Sequence, residues 1–149
     1  MKPALPPSLR SRAARGLTTA AAAGHFSLQV CMGCGAVQYP PRECCHVCLG
    51  ETLEWREQDG SAELIAVTTL HHSYDPYFRA RLPWPIGLAR LDAGPTVIAH
   101  LHVLCAPPPS RVQIGARLDR AAEGVLIAFP SGHARTLSDD PHLLELCLP

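Results

Sequence analysis

Two CxxC pairs, Cys31-Met-Gly-Cys34 and Cys45-His-Val-Cys48, stand ten residues apart and constrain this chain more than any other feature. Each CxxC turn brings two sulfurs within reach of one ion, and the spacer is short enough for the two knuckles to face each other across it. Four soft thiolates in a tetrahedron suit Zn²⁺ and leave no position open for water, so such a site is structural rather than catalytic. Iron takes the same four ligands, and spacing alone does not separate the two metals. Gly35 and Gly50, each following a pair, are expected to supply the bend that aims amide N–H groups at the sulfurs. Cys44 competes for ligation, but only Cys45 stands two residues from Cys48. His25 and His46 are read as solvated neighbours, Cys105 as a buried thiol and Cys147 as a tail thiol.

Seven cysteines, an odd number with five of them between Cys31 and Cys48, argue for metal in a reducing cytosol rather than for a disulfide scaffold. A cytoplasmic protein is therefore expected. Residues 1–25 lack the continuous apolar run of a signal peptide, and no stretch approaches the ~20 apolar residues of a membrane span.

The punctuation divides the chain into four segments. Residues 1–25 form a leader with Lys2, Arg10, Arg12 and Arg15 and no acid, in which the Ala-rich stretch Ser11 to Ala23 is expected to be a short docking helix that needs a partner surface. Residues 26–50 hold the knuckles. Residues 51–130 alternate β-rich runs with turn signals, beginning with Leu53 to Glu57 and Ala62 to His72 and ending with Val125 to Phe129. Fifteen prolines and eleven glycines favour such short elements over long helices, and five or six short strands suggest a small closed barrel. Residues 131–149 are a tail of unassigned structure whose Leu143, Leu144 and Leu146 are available for docking. The fold class expected is all-β.

The order of features resembles a known family. A CxxCG knuckle, Tyr39-Pro40-Pro41-Arg42, a second CxxC, Leu53-Glu54-Trp55, Gly60, the run from Gly87 through Leu91-Asp92-Ala93-Gly94-Pro95, and Val112-Gln113-Ile114-Gly115 follow one another as in the acyl-CoA-associated OB-fold family with an N-terminal rubredoxin-like zinc ribbon. The resemblance covers residues 26–130. It implies a zinc ribbon followed by an OB-fold barrel, in a subunit that is not an enzyme by itself. Such a subunit docks on a thiolase-like or aldolase-like partner and shapes its CoA or acyl channel. The zinc subunit of benzoylsuccinyl-CoA thiolase, from anaerobic toluene degradation, and partners of steroid side-chain aldolases both fit this description. His46 stands where the family usually shows proline, and Cys44 precedes the second pair, but neither alters the ligand count.

Between two barrel strands, the loop from Ser73 to Trp84 sets arginines among aromatics. Arg79 and Arg81 are candidates to hold CoA phosphates through charge-assisted bonds, with Tyr77, Phe78 or Trp84 stacking on adenine or lining an acyl path. A filled barrel mouth with a solvated arginine rim is the competing reading. His71, His72, His100 and His102 invite a second metal site, but His100 and His102 have no matching acid or cysteine, so a core or interface role is expected. No GxSxG, HExxH or phosphate-cradling glycine loop is present.

Zinc ribbons and OB-folds also occur in nucleic-acid-binding proteins, which is the alternative function. From Phe26 to Pro130, however, eight arginines face ten Asp and Glu, which offers little phosphate neutralisation. No nucleic-acid partner is therefore expected. A rubredoxin-type electron carrier would not need the appended barrel.

Overall fold

A computed structural model describes residues 3–149, so Met1 and Lys2 of the leader lie outside the described residues. The knuckles belong to a three-stranded antiparallel sheet of order β2-β1-β3, with β1 Ser27–Cys31, β2 Val37–Gln38 and β3 Leu53–Glu57. The run Leu53–Glu57 was expected in the barrel, but it pairs along its whole length with β1, Gln29 opposite Trp55. The alternation of apolar and polar residues marks a strand without naming its partner.

Five further strands close into a barrel in the order β4-β5-β6-β8-β7. They are β4 Ser61–Leu70, β5 Trp84–Leu91, β6 Thr96–Leu101, β7 Ser110–Leu118 and β8 Gly124–Pro130. The β6–β8 pairing is parallel and the others are antiparallel, and β4 closes the circle on β7 through Ser61–Gln113 and Ala62–Val112. So narrow a barrel has little interior room. Ala62, Ala89, Ala99, Ala116 and Ala128 accordingly fill much of it, interleaved with Leu64, Val97, Val112 and Ile114.

The last strand is nearly continuous in apolar residues because both of its faces are covered. Leu126 and Ala128 join the barrel core, while Ile127 and Phe129 face a second cluster containing Tyr77, Trp84, Leu143 and Leu146. That cluster is roofed by two short helices, α2 Pro76–Arg79 and α3 Pro141–Leu146. Each starts on an aspartate whose side chain accepts from first-turn amides, Asp75 from Tyr77 and Phe78, Asp140 from Leu143, with proline following. The tail thus docks through Leu143 and Leu146, whereas Leu144 stays exposed.

The leader forms a 3-10 turn, Arg12–Ala14, and the helix α1 Arg15–Ala22. Leu17 and Ala21 enter the barrel-side core, and Thr18 Oγ1 both donates to Glu123 Oε2 at 3.1 Å and accepts from Gly124 N at 2.9 Å. Gly16 faces the Trp55 ring so closely that a Cβ there would collide with it. The helix therefore bridges ribbon and barrel. Among the described residues, no helix is long and apolar enough to cross a membrane.

Candidate metal centre and loop site

The two knuckles share one backbone pattern. Cys31 N bonds Ala36 O at 2.9 Å and Gly35 N bonds Cys31 O at 2.8 Å; in the second, Cys45 N bonds Gly50 O at 2.8 Å and Leu49 N bonds Cys45 O at 3.0 Å. Gly35 meets its position's demand with φ +77°. Its counterpart is Leu49, at φ 61°, rather than Gly50 as expected from sequence. Gly50 has a different purpose: a Cβ there would stand 3.3 Å from the Cys48 sulfur, tighter than ordinary contact.

The four sulfurs of Cys31, Cys34, Cys45 and Cys48 lie within 4.8 Å of one another, and they form the one such cluster among the described residues. Cys31 and Cys48 are 3.5 Å apart and Cys34 and Cys45 3.6 Å. Zn–S bonds of about 2.3 Å at tetrahedral angles require sulfurs roughly 3.8 Å apart, so the donor set fits zinc. Backbone amides of Cys48 and Val47 lower the Cys45 thiol to about 6, and those of Cys34 and Gly33 lower Cys31. Cys34 receives help from the Ala36 amide, yet the neighbouring Cys45 thiol and burial push it up to about 12. Four adjacent thiolates repel one another, and a divalent cation is what allows all four to ionise. With four protein sulfurs bound, no coordination position remains for a substrate.

A buried amide pair, which the sequence reading passed over, holds the second knuckle in place. Gln38 Nε2 donates to Gln29 Oε1 at 3.0 Å and to Cys44 O at 3.2 Å, while Gln38 Oε1 accepts from His46 N at 3.0 Å and from His46 Nδ1 at 3.1 Å. Gln29 closes the set by bonding Arg42 N and Arg42 O at 2.8 and 2.9 Å. His46, expected to be only a solvated neighbour, therefore contributes a backbone donor. His25 does remain at the surface, 3.1 Å from Glu57 Oε1.

The loop residues separate into two groups. Tyr77 and Trp84 are each 1% exposed, so neither offers a ring face to solvent. Phe78 is half-buried, edge-on to Trp84 at 5.1 Å. Arg81 lies over the Tyr77 ring at 3.8 Å and is paired with Glu145 of α3. Arg79 is exposed and makes no ion pair among the described residues. Of the histidines, His100 accepts from Trp84 Nε1 at 2.9 Å, and His102 is fully buried against Phe129.

Two family descriptions match the chain in succession: residues 18–54 match "ChsH2, rubredoxin-like zinc ribbon domain", and residues 55–123 match "ChsH2, C-terminal OB-fold domain". A solved structure titled "Ltp2-ChsH2(DUF35) aldolase" contains a chain that superposes with a TM-score of 0.68 at 22% identity, covering 85% of this chain and 99% of that one. That likeness is one of fold. No curated protein matches the sequence.

Proposed function

This chain belongs to the ChsH2 family of zinc-ribbon and OB-fold domains, and on that premise we propose that it is a non-catalytic subunit of a thiolase-superfamily enzyme, a thiolase or an aldolase. It docks on the catalytic protein and helps to form its CoA or acyl-CoA site. The observation that carries this reading is the closed sulfur cluster: a centre with four protein ligands braces a fold and has no position at which to activate a substrate. A solved neighbour described as an aldolase assembly of two named components supports the choice of partner.

The surface offers a place for such a partner. β4 pairs with β7 only from Ser61 to Leu64, whereas its outer half, Ala66 to Leu70, pairs with β5 alone. That leaves an open strand edge carrying exposed Val67 and Leu70, which a monomer ordinarily keeps covered.

At the loop, the proposed CoA contacts are Arg79, free to meet a phosphate, and the exposed part of Phe78; Tyr77 and Trp84 form the floor beneath them, and Arg81 fixes α3. Thiolysis of benzoylsuccinyl-CoA in anaerobic toluene degradation is the narrower form of the proposal.

Co-expression with a thiolase-like protein tests the reading. A stable heteromer is expected on gel filtration, and Arg79→Ala should weaken its CoA affinity by about 1–3 kcal/mol. A chain that remains alone, or a complex whose CoA affinity ignores Arg79, contradicts the corresponding part.

A further inference from the structure

A cleft of about 280 Å³ opens where leader, ribbon and barrel meet, away from the sulfur cluster and backed by the arginine loop through His100, which bonds Trp84. Its walls are apolar, with Leu17 of α1, Ile86 of β5, Ile98 of β6 and Leu126 of β8 among them. Its volume is just below the ~300–1,000 Å³ usual for ligand pockets, which suits a small ligand. Three polar side chains interrupt the apolar lining: Arg10, Tyr39 and His100.

All three present donors. The Trp84 indole N–H bonds His100 Nδ1 at 2.9 Å, which places the ring's remaining proton on Nε2, where no protein acceptor meets it among the described residues. Burial, with help from Arg10, lowers the His100 pKa to about 4, so the ring is neutral near pH 7 and this tautomer is fixed. The Tyr39 hydroxyl likewise has no protein partner among the described residues, and it feels the charge of Arg10. Arg10 bonds the carbonyls of Pro7 and Leu9 through Nη1, while Nη2 lies 3.7 Å from Asp119, a loose contact. No carboxylate lines the cleft.

We propose that this cleft binds a small monocarboxylate with an apolar body, its carboxylate held by Arg10, the Tyr39 hydroxyl and the His100 Nε2–H, and its body lying between Ile86, Ile98 and Leu126. Two neutral donors beside a guanidinium that engages Asp119 only at 3.7 Å, with no acid in the lining itself, suit an anionic acceptor, and the remaining wall has nothing to offer a polar tail. The site is independent of the partner reading, because every wall comes from this chain.

The full-length zinc-bound protein is titrated with octanoate and, separately, with octan-1-ol, by calorimetry and by the NMR shift of the Trp84 indole N–H. Octanoate should bind and move that resonance, with the alcohol at least about tenfold weaker. Arg10→Ala should weaken octanoate at least about tenfold and leave the alcohol unchanged. Ile98→Trp, at an exposed position, should block both ligands while zinc content and melting temperature stay constant. Equal affinity for acid and alcohol, indifference to Arg10→Ala, or no binding of octanoate up to about 10 mM would overturn the proposal.

Discussion

Gln38 and Gln29 lie side by side in the ribbon, 2% and 6% exposed, with Nε2 of the first 3.0 Å from Oε1 of the second. Between them they hold Arg42, Cys44 and His46 by their backbones, and these three residues flank Cys45 on both sides. Gln38→Ala strands the Cys44 carbonyl and the His46 amide in a poorly solvated place, at a cost of about 1–3 kcal/mol for each group left unpaired. Zinc affinity, measured by chelator competition, is expected to fall with stability. His46→Pro removes one of the same donors and should show a smaller loss in the same direction.

Leu49 holds a left-handed backbone, φ 61°, with its side chain 73% exposed. A non-glycine residue costs about 1–2 kcal/mol there, and glycine returns part of that gain through its freer unfolded chain. Leu49→Gly is therefore expected to raise ribbon stability by about 0.5–1 kcal/mol in urea unfolding. A loss would show that the exposed leucine makes a contact the backbone argument neglects.

Gly60 joins the two sheets at φ +81°, and its carbonyl accepts from Ile114 N at 2.8 Å. A Cβ at this position would collide with the Ile114 carbonyl oxygen. Gly60→Ala combines left-handed strain with a backbone clash and should cost about 2–4 kcal/mol in chemical denaturation.

Arg81 bonds Glu145 across the gap between loop and tail and holds its carboxyl below the usual value of 4.5. A depressed carboxyl stabilises the fold fully above 4.5 and loses that contribution as pH falls through the lower folded value. α3 should therefore loosen on acidification and not in base. Amide exchange at Leu148, which bonds Leu118 O at 2.9 Å, should quicken below about pH 4.5 relative to its intrinsic rate. Glu145→Gln should remove that pH dependence at a cost under about 1 kcal/mol at pH 7, since the carboxylate is half exposed.

Local features were legible in the sequence: the CxxC spacing picked out the four cysteines whose sulfurs the fold gathers, and turn residues bounded most of the barrel strands. Long-range pairing was not. Leu53–Glu57 reads equally well as a ribbon or a barrel strand until β1 is found beside it, and Arg81 gives no hint of Glu145. Gln29 and Gln38 look like ordinary solvent-facing strand positions, because their value lies in loop amides that only the fold brings near. Both short helices carried a readable signal, an aspartate before a proline at Asp75-Pro76 and Asp140-Pro141. The loop from Ser73 to Trp84 misled in part, since an aromatic's burial depends on what roofs it, and here the roof is the distant tail.

The proposed division of labour between this chain and a catalytic partner is tested most directly by acyl-CoA cleavage assayed with the purified chain, a purified thiolase-like protein, and the two combined at a mass measured by light scattering. Cleavage by the heteromer, with none from the zinc-bound chain alone, is the predicted result. Turnover by the isolated chain would contradict it.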